Sequence, residues 1–158
     1  MAIVAPVLLL LLAAALDLGR LFYSQITITN AAREGAMAAA QDPTKFQPGQ
    51  ACAMPSHGPD TNRVNCAVGN ESSSSFVTIA ASDVSMACDG VTVTTPAQIA
   101  ANCHPALGHS VAVTVTGHFS LVTPILAIFT GGQDITLSST ALAVPQEVPT
   151  APPPAPTP

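Results

Sequence analysis

The order of apolar and polar positions divides the chain into an apolar N-terminal stretch and a C-terminal part in which the two alternate. Residues 1–16, MAIVAPVLLLLLAAAL, contain no polar or charged side chain. An apolar stripe then continues at helical spacing through Leu18, Leu21, Phe22 and Ile26. No cluster of turn-forming residues interrupts the pattern before Asp42-Pro43, where the residue preceding proline is driven out of the α region. The pattern therefore predicts one continuous helix over residues 5–40.

A predicted helix of this length is about 55 Å long, whereas the hydrocarbon core of a bilayer is about 30 Å thick. We therefore expect its first half to span a membrane and its second half to emerge. Within it, the β-branched run ITIT at residues 26–29 by itself favours a strand, but strong helix formers flank it and we favour helix. A cleavable signal peptide is the alternative, with small residues at 13–15 for a peptidase, although no basic residue precedes the apolar core.

The second half of the chain shows a period of two. Four stretches are β-branched, alternating and separated by turn residues, namely SFVTIAAS, GVTVTT, SVAVTVTGHF and DITLSSTALAV. In the third stretch Val111, Val113 and Val115 form one apolar face, and Ala112, Thr114 and Thr116 form the other. This alternation predicts an antiparallel sheet that is covered on one side.

The segments around these strands carry different signals. Residues 41–75 are rich in turn residues and predict a loop. Thr95 and Pro96 predict a helical turn up to Asn102, with Thr95 as the cap and Pro96 at the first position. The apolar stretch FSLVTPILAIFTGG reads as a short helix or a loop packed on the sheet, and the proline-rich end reads as polyproline II or disorder.

Together these patterns predict an α+β fold, in which a long N-terminal membrane-spanning helix is followed by a small antiparallel β-sheet domain and a disordered Pro-rich tail. The predicted division places the helix at 1–41, a disulfide-tethered loop region at 42–75, the β domain at 76–143 and the tail at 144–158.

The composition of the chain limits the classes of function that we expect. Only 8% of the residues are charged, against about a quarter in soluble domains, which favours a membrane, secreted or assembled state. The four basic residues all lie in the first half, and no basic patch exists, so we expect no nucleic-acid partner. No nucleophile elbow or phosphate-binding loop is present, and His109 has no acid at a suggestive distance along the chain. We expect no enzymatic activity, no cofactor and no metal.

Four cysteines follow the apolar stretch, at Cys52, Cys66, Cys88 and Cys103. An even number outside the cytosol predicts two disulfides, for which three pairings are possible. We expect the sequential pairs Cys52–Cys66 and Cys88–Cys103, because they close the shortest loops around turn-rich stretches. The nested pairing, Cys52–Cys103 with Cys66–Cys88, stays open. Disulfides need an oxidising compartment, so the domain is expected outside the cytoplasm.

The stretch AIVAPVLLLLLAAALDLGRLFYSQITITNAAREGAMAAA resembles the N-terminal signature of the TadE-like proteins, pseudopilins of the tight-adherence (Flp) pilus system. The shared features are an early proline, a D-x-G-R-x-F/Y group and the run N-A-A-R-E-G-A. The matching residues are Pro6, Asp17, Gly19, Arg20, Phe22, Tyr23, Asn30, Ala31, Ala32, Arg33, Glu34, Gly35 and Ala36. The closing strands, from residue 111 to 144, also resemble the family's C-terminal strands, whereas the middle of the chain is not matched.

The resemblance implies a single-pass, type IV pilin-like subunit of the cytoplasmic (inner) membrane. Its implied partners are the membrane, other pilins or pseudopilins, the pilus assembly platform and a prepilin peptidase. It would act as a minor component in pilus assembly, adhesion or secretion, and could enter an extracellular pilus. Family members usually carry a short basic leader and a glutamate directly before the position that Met1 occupies here, so either the native start lies upstream or this protein lacks the processing site. We therefore expect the native product to extend upstream, to be trimmed there and to keep its helix.

Several motif residues have two interpretations. Asp17 and Arg20 share a helix face, and are either a subunit contact or an ion pair that anchors the helix at the membrane boundary. The small residues Ala31, Ala32, Gly35, Ala36 and Ala39 suit either a bundle of subunits or packing on the chain's own sheet. Arg33 and Glu34 are typical of a solvated helix surface. The alternative function is a membrane-anchored or secreted binding module, such as an adhesin, with no pilus role.

Overall fold

A computed structural model describes residues 4–52, 62–73, 76–104, 108–122, 131–132 and 134–145. The helices are α1 (Val4–Gln41), α2 (Arg63–Ser72) and α3 (Pro96–Asn102), and short 3-10 turns occupy Pro43–Lys45 and Ala81–Asp83. The strands are β1 (Val77–Thr78), β2 (Val84–Cys88), β3 (Val91–Val93), β4 (Val111–Ser120) and β5 (Asp134–Ala143). The fold is α+β, with a long apolar N-terminal helix and a small antiparallel sheet, as the pattern predicts.

Helix α1 is continuous through the β-branched run at 26–29, so the prediction of one helix is confirmed. The hydroxyls of Ser24, Thr27 and Thr29 each donate to the carbonyl four residues earlier, at 2.9–3.1 Å. The helix ends where predicted, because Asp42 is extended (φ −156°) and its carboxylate accepts from the backbone N–H of Thr44.

Helix α2 lies where turn-rich composition predicts a loop, so the loop prediction is wrong over Arg63–Ser72. Asn62 caps the helix by accepting from the backbone N–H of Asn65. Val64 and Val68, four residues apart, are buried on one face and supply the apolar contact that a short helix needs. The division of the chain into four regions stays a prediction.

The sheet is built around β4, and all its pairings are antiparallel. β5 pairs with β4 along its whole length, from Val111 opposite Ala143 to Ser120 opposite Asp134. On the other edge of β4, β2 and β1 follow one another, and β3 pairs with β2. Over the residues that the structure describes, the sheet has five strands, with β1 and β2 sharing one edge of β4.

One predicted strand extent is wrong and one strand was missed. Among the described residues of SFVTIAAS only Val77–Thr78 is a strand, because the carboxylate of Asp83 accepts from the backbone N–H of Ala80 and turns the chain into a 3-10 helix. Strand β2, Val84–Cys88, was not predicted, although its alternating burial is clear in the structure. The predicted helical turn capped by Thr95 is confirmed as α3.

The core lies between the C-terminal half of α1 and one face of the sheet. Val111, Val113 and Val115 are buried on this face, while the residues between them are half-buried, which confirms a sheet covered on one side. Gly117 lets the helix approach closely, because a Cβ there would lie 2.7 Å from Cδ1 of Ile28.

Both sequential disulfides are confirmed, Cys52–Cys66 and Cys88–Cys103, with Cα separations of 4.7 and 5.2 Å. The first ties the segment after α1 to α2, and the second ties the end of β2 to the residue after α3. The interpretations of residues 123–130, most of the apolar stretch before β5, and of the Pro-rich tail from residue 146 lie outside the described residues.

Candidate membrane-anchoring and assembly surface

The first part of α1 is an apolar arm, here residues 4–16, whose leucines and valines are largely exposed. Leu8, Leu9 and Leu11 are each more than 60% exposed. Helix α1 is long and apolar enough to cross a membrane. Surface of this kind on one continuous helix is typical of a segment that lipid or another protein covers.

At the end of the arm, Asp17 and Arg20 form the predicted ion pair. Nη1 of Arg20 donates to Oδ1 of Asp17 at 3.2 Å. Asp17 is only 2% exposed, so the carboxylate is enclosed rather than hydrated. A buried carboxylate is costly unless it is paired and hydrogen-bonded. The guanidinium of Arg20 supplies an opposite charge and one hydrogen bond to it.

Arg20 also contacts the sheet domain. The guanidinium carbon of Arg20 lies 4.7 Å from the ring centre of Phe76 and 5.4 Å from that of Phe119. Tyr23 packs edge-on against Phe76, with ring centres 6.1 Å apart. Each cation–π contact of this kind contributes about 0.5–2 kcal/mol, more where water is excluded. The ion pair therefore joins the apolar arm to the sheet domain within one chain.

The small residues of α1 pack against the chain's own domain. Ala31, Ala32, Ala36 and Ala39 are at most 1% exposed. A Cβ on Gly35 would lie 2.9 Å from Cγ2 of Val68 and 3.1 Å from Cγ1 of Val113. Of the two interpretations of this stripe, the geometry supports packing on the chain's own sheet and on α2.

The other motif residues are exposed, although Tyr23 also contacts Phe76. Pro6 is exposed in the apolar arm, and a Cβ on Gly19 would have no neighbour within 4 Å. The exposed members of the motif are Pro6, Gly19, Phe22, Tyr23, Asn30, Arg33 and Glu34. The motif thus combines residues that hold the domain with residues that are available to partners.

Sequence reasoning missed the aromatic partners of Arg20. Phe76 precedes β1 and Phe119 lies near the end of β4, so both are far from Arg20 along the chain. The chain has only five phenylalanines and one tyrosine, and an arginine inside an apolar helix needs a partner. The small number of aromatic residues was therefore the available indication of which residues could contact Arg20.

A second polar contact that sequence reasoning missed lies at the turn between β2 and β3. The carboxylate of Asp89 contacts Nδ1 of His109 and accepts from the backbone N–H of Ser110 at 2.7 Å. The hydrogen bond from His109 and then that from Ser110 lower the pKa of Asp89 below its ordinary value of 3.8. The turn places Asp89 at φ 49°, where aspartate is tolerated. His109 therefore does have an acidic neighbour, 20 residues away in sequence.

Comparison with known proteins gives one finding. Residues 1–37 match the family model described as TadE-like protein. The match spans the apolar arm, the Asp17–Arg20 pair and the small residues of α1 up to Ala36, and it supports membership of the TadE-like family. No curated protein and no solved structure matches the chain.

Proposed function

We propose that this TadE-like chain is a minor, pilin-like, membrane-anchored subunit that acts in tight-adherence (Flp-type) pilus assembly, adhesion or associated secretion. The observation that carries the proposal is the coincidence of the family match, residues 1–37, with an exposed apolar arm joined by Asp17–Arg20 to a small disulfide-linked domain. An anchored subunit needs these two parts in one chain.

The exposed surface of α1 supports a role in assembly. Gly19, Asn30 and Arg33 belong to the motif, yet they are exposed and make no close contact with the sheet among the contacts described above. We assign them to contacts with other pilins, pseudopilins or the assembly platform. We assign no catalysis to this chain, so the work of assembly would come from its partners, and a prepilin-type peptidase would trim the native N-terminus.

The two disulfides support an orientation with the sheet domain outside the cytoplasm, because structural disulfides persist in oxidising compartments. The proposed location is therefore the cytoplasmic membrane, with one pass, and the domain is available for incorporation into an extracellular pilus.

The test combines genetics with analysis of the mature protein. Deletion of the gene should reduce surface pili, and complementation with the wild type should restore them. An Arg33→Glu variant should restore them less well, whereas the control Leu142→Ser, on the exposed face of β5, should complement fully. The tagged protein should copurify with pilus components, and mass spectrometry should find residues 4–16 in the mature chain. Normal piliation together with a mature chain that begins after Ala15 or Ala40 would favour the secreted binding module instead.

A further inference from the structure

The contacts between α1 and β4 determine which end of the domain faces the apolar arm. Along β4, Val113 lies opposite Gly35 and Gly117 lies opposite Ile28, while Phe119 reaches Arg20. The later residues of β4 therefore lie nearer the arm. Val122, just beyond β4, and Phe76, just before β1, belong to this end of the domain.

Apolar side chains are exposed at this end, on both the helix and the domain. We define the membrane-facing rim as Phe22, Tyr23, Phe76 and Val122, with exposed fractions of 64%, 49%, 53% and 69%. The exposed apolar surface of α1 also continues beyond the arm through Leu18 and Phe22 to Ile26. Measured from Val4, that surface is about 33 Å long at 1.5 Å per residue, which slightly exceeds the thickness of a hydrocarbon core of about 30 Å.

Three polar side chains over this length, those of Asp17, Arg20 and Ser24, have a hydrogen-bond partner within the chain, whereas Gln25, next to the end of the stretch, is exposed. The guanidinium of Arg20 also lies over the rings of Phe76 and Phe119. Lipid cannot hydrogen-bond polar groups, so polar side chains that lie against it need partners of this kind, and Gln25 belongs at the hydrated edge of the bilayer. The rim also holds a tyrosine, a residue type that is enriched at membrane interfaces.

We propose that the membrane-facing rim lies in the bilayer interface and contacts lipid, so that the sheet domain sits on the membrane surface rather than at a distance from it. The inference rests on the proposed membrane anchoring by the arm, with which the rim is continuous. Asp134, exposed at the start of β5 and bonded to the hydroxyl of Ser120, lies at the same end and keeps its hydration. The rim therefore reaches the headgroup level and goes no deeper.

The absence of tryptophan from the sequence makes a direct test available. Single variants Phe76→Trp and Val122→Trp of the full chain would be reconstituted in phosphatidylcholine vesicles with and without brominated acyl chains. Phe76→Trp keeps an aromatic ring over Arg20. The distal control is Leu142→Trp, which is as exposed as Val122 but lies opposite Ala112, at the other end of β4. Leu8→Trp reports whether the arm itself is in lipid.

We expect the emission of Phe76→Trp and Val122→Trp to be blue-shifted and to lose part of its intensity to brominated lipid, less than Leu8→Trp loses, while Leu142→Trp is quenched only by aqueous acrylamide. Acrylamide quenching of Phe76→Trp equal to that of Leu142→Trp, with Leu8→Trp quenched by lipid, would overturn the rim contact alone. Protection of Phe76→Trp from both quenchers that increases with protein concentration would also overturn it, because a second copy would then cover the rim. If Leu8→Trp escapes lipid quenching, the anchoring fails and the inference fails with it.

Discussion

Gly35 of α1 lies so close to Val68 of α2 that a Cβ on the glycine would be 2.9 Å from Cγ2 of Val68. On the other side the same Cβ would be 3.1 Å from Cγ1 of Val113 in β4. Gly35 therefore marks the point where α1, α2 and the sheet meet, and its lack of a side chain sets their separation.

The first prediction follows from this contact. Gly35→Leu should lower the free energy of unfolding by about 1–3 kcal/mol, since an added side chain must push apart a packed core. Gly19→Leu is the matched control on the same helix, because a Cβ there has no neighbour within 4 Å, and leucine is the better helix former by about 0.8 kcal/mol. Thermal unfolding of the full chain in detergent, followed by the circular dichroism of the sheet, measures both. Equal midpoints for the two variants would contradict the packing described here.

The second prediction concerns acid stability. Bonds from His109 and Ser110 lower the pKa of Asp89 in the folded state. A lowered folded pKa means that the carboxylate stabilises the fold fully above its unfolded pKa, and that this contribution is lost as the pH falls through the folded pKa. The unfolding midpoint should therefore decline from about pH 5 downward.

The isosteric variant Asp89→Asn isolates this contribution. It can still accept the Ser110 N–H and tolerates the positive φ at this position, but it has no charge to lose. Its unfolding midpoint should depend less on pH over the acid range than that of the wild type. Parallel acid profiles for the two proteins would show that Asp89 is not the titrating group.

The main helix, the covered face of the sheet and the disulfide pairing were predictable because they depend on local sequence patterns. The helix through residues 26–29 followed from the flanking helix formers, and the covered face of β4 followed from the alternation of Val111, Val113 and Val115. Sequential disulfides followed from loop closure. Each of these features is decided by residues close together in the sequence.

The features that were not predictable depend on contacts between distant residues. Helix α2 was hidden because Asn62, Asn65 and Gly69 read as turn residues, whereas in the structure Asn62 caps the helix and packing buries Val64 and Val68. The aromatic contacts of Arg20 depend on rings about 56 and 99 positions away from it, at Phe76 and Phe119. No local pattern indicates which aromatic residue will meet a given cation.

The third prediction concerns Asn62, which is 2% exposed. Its amide nitrogen donates to the carbonyls of Gln47 and Gln50 at 2.7 and 2.8 Å, and its oxygen accepts from the backbone N–H of Asn65 at 3.3 Å. Asn62→Ala removes all three bonds and should lower stability by about 1–3 kcal/mol, the cost of leaving buried polar groups unpaired.

One further variant separates the N-cap bond of Asn62 from its two bonds to carbonyls, and a second variant serves as a control. Asn62→Ser keeps an N-cap acceptor, worth about 1 kcal/mol, but cannot donate to both carbonyls, so its stability should fall between those of wild type and Asn62→Ala. The matched control Asn70→Ala, on the exposed face of α2, should change the unfolding midpoint little. Equal loss in Asn62→Ser and Asn62→Ala would assign the effect to the carbonyl contacts alone.

The fourth prediction is that Asp17 and Arg20 act as a unit. Arg20→Gln leaves the buried carboxylate of Asp17 without its counterion, so it should lower the free energy of unfolding by about 3 kcal/mol. Asp17→Asn leaves the partly exposed guanidinium of Arg20 and should lower the free energy of unfolding by less. The double variant should cost clearly less than the sum, with a coupling of at least about 1 kcal/mol. Additive losses would contradict an energetic pairing between the two side chains.

The phenylalanine rings over Arg20 should contribute to stability beyond the charge of the ion pair. Arg20→Lys keeps the positive charge but loses the planar group that stacks on Phe76 and Phe119, so it should be less stable than wild type and more stable than Arg20→Gln. Arg33→Gln, an exposed arginine on the same helix, is the matched control and should stay within about 0.5 kcal/mol of wild type. If Arg20→Lys matches the wild type, the aromatic contacts contribute nothing measurable, and the arm and the domain are joined by the ion pair alone.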